Sequence, residues 1–181
     1  MADILTHYVV SYILLRRVFG LKLSLLIALV ALLPDIDVIF RIHRWFTHSI
    51  IVLGLGVLCL VVLFTLHRGF RGFLLYLGAI ALVYLLHIVV DLFTASTPIL
   101  WPLISESYHL KILVQGFVAA EDKTISIYPI MSVITSASNF TPRDSLEGPI
   151  ATGLSIILAL ATLILELFEF ADMIVKNKFN G

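Results

Sequence analysis

Three stretches of this chain, residues 49–66, 72–93 and 149–171, are so long and so nearly free of charge that they restrict the fold more than any other feature. A helix crosses a hydrocarbon core in about 20 residues, and each stretch is expected to do so. The rest of the composition agrees. Sixty per cent of the 181 residues are hydrophobic and 13% are charged, against roughly 25% charged in soluble domains, which excludes a soluble globular domain. Twelve basic residues balance twelve acidic ones, so no bulk positive field exists to hold nucleic acid. The single cysteine, Cys59, can form neither an internal disulfide nor a thiolate metal site, and reads as a small core residue.

Two weaker apolar stretches, residues 4–19 and 21–33, come first. The second reaches only about 20 Å before Pro34 at 1.5 Å per residue, and both are expected as short helices within the bundle. Arg16 and Arg17 follow the first apolar run instead of preceding it, unlike a cleaved signal peptide. If every helix crosses once, one membrane side collects Arg16, Arg17, Lys22, Arg68, Arg71, Lys176 and Lys178 against Glu166, Glu169 and Asp172. The other collects Arg41, Arg44, Lys111, Lys123 and Arg143 against Asp3, Asp35, Asp37, Asp91, Glu106, Glu121, Asp122, Asp144 and Glu147. Basic short loops favour the cytoplasm, which makes the first side cytoplasmic and the second extracytoplasmic.

Residues 94–148 carry Pro98, Pro102, Pro129 and Pro142. Their apolar pieces, 112–120 and 125–135, are too short to span as helices and are expected in an irregular cap. The expected architecture is therefore all-α. It is one membrane-embedded domain over residues 1–181, a multi-pass bundle of about five helices, two of them short, capped by residues 94–148.

Ionisable side chains in membrane helices cost about 2.5–3.5 kcal/mol each at the centre, so their placement is informative. His87 and Asp91 are four residues apart and share one helical face. Asp35 and Asp37 follow Pro34 in an LPDID turn, where two neighbouring carboxylates favour a nearby cation. His43, Arg44 and His48 lie in HRWFTHS just before the first long helix, with Thr47 or Ser49 placed to cap it. The Arg44 fork suits a phosphate or carboxylate, while Arg41 could equally anchor at headgroup level beside Trp45. His7 lies one turn into the first helix. In the five-crossing scheme all these residues reach the same membrane face. Histidines and carboxylates without cysteine suit Zn²⁺, or Mn²⁺ or Fe²⁺, and the set is large enough for one or two ions.

LPDID, then HRWFTHS, then HIVVD followed by TASTPILWPLISESYHL resembles the YdjM-like family of integral-membrane metal-dependent hydrolases. The resemblance covers about residues 5–112. More distantly, the order of His, Asp, His and HxxxD is similar to the metal site of zinc-dependent phospholipase C and related zinc-dependent nucleases. The resemblance implies His7, Asp35 and/or Asp37, His48, His87 and Asp91 as metal ligands, with His43 and Arg44 in the HR positions of the family segment. Trp45 stands where the family has glycine. The soluble enzymes' second HxxxE pair has no counterpart beyond Glu106 and His109, which are more simply a surface pair.

The expected function is a membrane hydrolase that cleaves a phosphoester or ester of a lipid or lipid-linked substrate with metal-activated water. In it, Arg44 neutralises developing charge and His43 protonates the leaving group. The competing class is a non-enzymatic divalent-metal or proton carrier. It would need polar groups through the whole membrane thickness, and the middles of 49–66 and 72–93 are apolar.

Overall fold

The N-terminal turn is set by Asp3, whose carboxylate accepts the Thr6 N–H at 2.7 Å and starts helix α1, Ile4–Arg16. The other oxygen of the same carboxylate accepts the Thr152 N–H at 3.0 Å and the Thr152 hydroxyl at 2.5 Å, just ahead of α5, Gly153–Phe179. One buried acid therefore ties together the starts of two helices distant in sequence. These hydrogen bonds hold the Asp3 carboxyl below its ordinary value even though burial acts in the opposite direction. Its contribution to stability is therefore present above about pH 4 and is lost as pH falls below that. Asp3→Ala is expected to cost about 2 kcal/mol, a cap plus an unpaired buried donor, read as a lower apparent Tm in detergent at pH 7.

The structure is a computed structural model describing residues 3–65, 70–118, 124–144 and 148–179. After α1 come α2, Leu21–Ala28, and a tightened turn, Leu29–Leu32, followed by a second short 3-10 segment, Pro34–Phe40, bent by 44° from the first pair. A third, Phe46–His48, leads into α3, Ile50–Thr65, which packs on α4, Phe70–Thr94. The Ser49 hydroxyl accepts the Ile51 and Val52 N–H groups at 3.1 and 3.4 Å, so Ser49 caps α3. Tyr12, Leu15 and Phe19 meet Ile27, Ala28 and Ala31 of the α2 arm and Ala79 and Val83 of α4 in the core. Ala28, Ala31 and Val83 are fully buried, and the two alanines let the α2 arm approach α4. Far from the Asp3 clamp, Arg16 pairs with Glu166 at 2.6 Å and Glu169 at 3.1 Å. Tyr12 also donates to Glu166.

Several expectations are corrected here. The fold is not an all-α five-helix bundle. Residues expected as an irregular cap form a two-stranded antiparallel sheet, β1 Glu106–Val118 with β2 Ile125–Ala137, in continuous register from Glu106 opposite Ala137 to Val118 opposite Ile125. Its Ile, Val, Tyr and Thr content explains the choice, since branched and aromatic side chains fit the pleated surface. Among the described residues, only 72–94 and 153–176 form helices long and apolar enough to cross a membrane, with the bent pair Leu21–Leu32 and Pro34–Phe40 as a third at most. Within the described residues α3 holds 16 residues, about 24 Å at 1.5 Å per residue, and residue 66 of the expected span lies outside them. Cys59 is exposed, not a core residue. Arg68, Glu121, Asp122, Lys123 and Glu147, which entered the assignment of sides, lie outside the described residues.

Candidate metal centre

Every residue of the cluster comes from a helix end or a tight turn. His87 and Asp91 stand one turn apart near the C-terminus of α4. Pro34 opens the segment carrying Asp35 and Asp37, and His48 ends the turn before α3. Tyr84, one turn before His87, donates its hydroxyl to the Thr47 carbonyl at 2.5 Å and fixes that turn against α4.

Asp35, His48, His87 and Asp91 each offer one ligand atom, and all four atoms lie within 4.8 Å of one another. The two imidazole Nε2 atoms are 3.3 Å apart. Asp35 Oδ1 lies 3.5 Å from each of them, and Asp91 Oδ2 lies 3.4 Å from His48 and 3.9 Å from His87. Tetrahedral bonds of about 2.0–2.1 Å put neighbouring ligands about 3.4 Å apart, so the spacing suits one ion such as Zn²⁺.

The far side of each imidazole decides which nitrogen is available. His87 Nδ1 is 2.6 Å from the Ala31 carbonyl, which can only accept, so the proton sits on Nδ1 and the Nε2 lone pair points into the cluster. His48 Nδ1 is 3.1 Å from Asp37 Oδ2, and donation to that carboxylate leaves its Nε2 lone pair facing the same point. Carboxylate and carbonyl partners behind metal-binding imidazoles are a recurrent device for fixing the tautomer. Two facing lone pairs and two carboxylate oxygens repel unless a cation lies between them. Net charge agrees, because Asp35, Asp37 and Asp91 against Arg44 leave two negative charges, the amount one divalent ion neutralises. Burial opposes charge on His48, yet the Asp35, Asp37 and Asp91 carboxylates outweigh it and push its pKa up to about 10.

The metal-free protein is therefore expected to hold a proton on His48 where the ion would sit. That proton stabilises the metal-free fold fully below about pH 6.5, the ordinary histidine value, and its contribution is lost as pH rises towards 10. Metal affinity should move the other way, tightening about tenfold per pH unit while one proton is displaced, as Zn²⁺ titrations between pH 6 and 9 would read.

The other residues singled out in the sequence fall around this core. Asp37 lies behind His48, fully buried, and also accepts the Trp45 N–H at 2.7 Å and the Thr47 hydroxyl at 3.1 Å. Asp37→Asn is expected to weaken metal binding 10- to 100-fold, the usual cost of losing such a support, measured by competition with a zinc-sensitive dye. His7 reaches the opposite oxygen of Asp91 at 3.4 Å and stacks on His87 with ring centres 3.8 Å apart. His43 lies at the rim, its Nδ1 3.8 Å from both Asp35 and Asp37, with a fifth of its side chain exposed.

Arg44 is buried and bonds Asp91 Oδ2 through Nε at 2.6 Å, while its Nη2 is buried with no hydrogen-bond partner among the described residues. Its backbone holds φ 62°, a left-handed conformation that costs a non-glycine residue about 1–2 kcal/mol and is found where function requires it. Arg41 adopts φ 58° but is exposed and caps the Pro34–Phe40 segment. Glu106 and His109 lie three apart on a strand and so point to opposite faces, which separates the pair. Sequence reasoning missed Tyr84, Thr47 and the Ala31 carbonyl. A signal for Ala31 exists, because Pro34 has no N–H to offer it in a 3-10 turn.

The chain matches no curated protein and no solved structure. A known family, described as YdjM inner membrane protein, matches residues 1–170, which include the whole cluster. On that match, the chain belongs to the YdjM inner membrane protein family.

Proposed function

We propose that this protein is a membrane-bound metal-dependent hydrolase that cleaves a phosphoester or ester of a lipid-type substrate. One observation carries the reading: the Nε2 atoms of two imidazoles, held at Nδ1 by Asp37 and the Ala31 carbonyl, and one oxygen each of Asp35 and Asp91 lie within 4.8 Å of one another. A divalent ion there, with zinc the best fit to the donors, supplies Lewis acidity and water activated near neutral pH. The chain's own groups do the rest. Arg44 is held by Asp91 with Nη2 free to donate, and it binds an anionic substrate oxygen as charge develops. Rim-exposed His43 is reachable from solvent and carries a proton to the leaving oxygen. The cluster's position at the end of a membrane-length helix favours a substrate that resides in the bilayer.

The test uses purified protein with phosphatidylglycerol and phosphatidylethanolamine in mixed micelles. The expected result is headgroup release that stops with EDTA, returns with Zn²⁺ and is absent in His87→Ala. Release indifferent to EDTA and to His87→Ala, or none with any divalent metal, overturns the proposal. Zinc flux into liposomes without hydrolysis would select the carrier instead.

A further inference from the structure

The β-hairpin is the part of the molecule that the cluster and its proposed chemistry leave without a role. Because partners in the register alternate faces, Leu110, Ile112, Val114 and Val118 share one face with Ile125, Ile127, Pro129, Met131 and Val133. That face carries no polar side chain along its outer length. The opposite face carries His109, Lys111, Gln115, Ser126, Tyr128 and Ser132 among its apolar residues. Beyond the base, neither face is covered by the described residues. Ile127 is 71% exposed, Met131 67% and Val133 61%, whereas an isolated two-stranded hairpin in water is at best marginally stable.

The position of the hairpin identifies what covers it. Its chain leaves the C-terminal end of α4 and returns to the N-terminal end of α5, the two helices long enough to cross the membrane. The hairpin base is fixed at that level. Thr97 bridges Tyr108 through two backbone bonds of 2.9 Å, Ser107 bonds Ser138 at 2.7 Å, and β1 packs against α4. The apolar face thus starts where two membrane-length helices end, and the bilayer is the one apolar phase already present there. Upright insertion into the hydrocarbon is excluded, since a two-stranded sheet leaves two edges of unpaired N–H and C=O groups. Thirteen residues also extend about 43 Å, longer than the core is thick. Lying flat at headgroup depth meets both conditions: the apolar side faces acyl chains, and the edges and the Lys111 side face water.

We propose that the hairpin is an interfacial lipid-binding element, resting on the bilayer surface through the face that includes Ile112, Val114, Ile127, Met131 and Val133. This proposal is independent of the hydrolase reading.

The full chain carries one cysteine, so Cys59→Ser gives a background for single-cysteine labelling. Val133→Cys and Ser132→Cys, neighbours on opposite faces, are each labelled with an environment-sensitive fluorophore in phosphatidylglycerol-containing nanodiscs holding one copy. The expected result is at least a threefold difference in each direction: Val133 label quenched by spin-labelled lipid, Ser132 label by aqueous iodide. Met131→Cys against Gln115→Cys should repeat the alternation and guards against one variant misfolding. Equal iodide quenching on both faces overturns the proposal. So does shielding of Val133 that appears only in two-copy discs, which would assign the face to a second copy.

Discussion

Asp91→Ala is expected to remove bound metal and to destabilise the fold in the same step. The Asp91 carboxylate is 1% exposed and meets His7, His48, His87, Arg44 and Thr94. Its loss takes away one of the four donors and leaves the buried Arg44 guanidinium without its counter-charge, which typically costs about 3–5 kcal/mol. Elemental analysis should find less than about a tenth of the wild-type ion, a change comparable with or larger than losing an outer-shell support, and the apparent Tm should fall sharply. Asp35→Ala provides the contrast. Its side chain is a fifth exposed and holds no arginine, so the metal should be lost with a much smaller change in Tm. If the two variants melt alike, the buried Arg44–Asp91 pair does not have the role assigned to it.

The second large effect is expected at Arg44 and falls chiefly on rate. Nε is engaged by Asp91 and Nη2 is free, so one guanidinium both braces a ligand and presents a donor. Arg44→Ala, assayed at saturating Zn²⁺ because loss of the brace on Asp91 also weakens metal binding, should lower kcat by about 10²–10³, the usual cost of one such donor. Arg44→Lys should recover little, because a single ammonium cannot replace the fork. Arg44→Gly relieves the positive φ without supplying a donor and should be as slow as Arg44→Ala although it folds at least as well. Unchanged turnover in Arg44→Ala would remove Arg44 from the chemistry.

The cluster was more legible in the sequence than the fold around it. His87 and Asp91 were readable because a helix brings residues four apart together whatever surrounds it, and the PDID and HRWFTHS segments stood out as polar groups beside apolar helices. The division of labour between Asp35 and Asp37 was not readable. Two carboxylates one residue apart look equivalent until the path of the turn sends one to the ligand point and the other behind His48. The hairpin was missed because its apolar runs were measured against the length of a helical span. The alternation in ISIYPIMSVITS is the signal that could have found it, and Pro129 is accommodated because a two-stranded sheet has only edge strands.

The most direct test of the central claim is metal content and position in the purified wild-type protein, by elemental analysis and an anomalous difference map. The account predicts about one divalent ion per chain, bound among Asp35, His48, His87 and Asp91 and absent from His87→Ala. A protein with no stoichiometric ion after purification in zinc-supplemented buffer, or an ion that persists in His87→Ala, would contradict it.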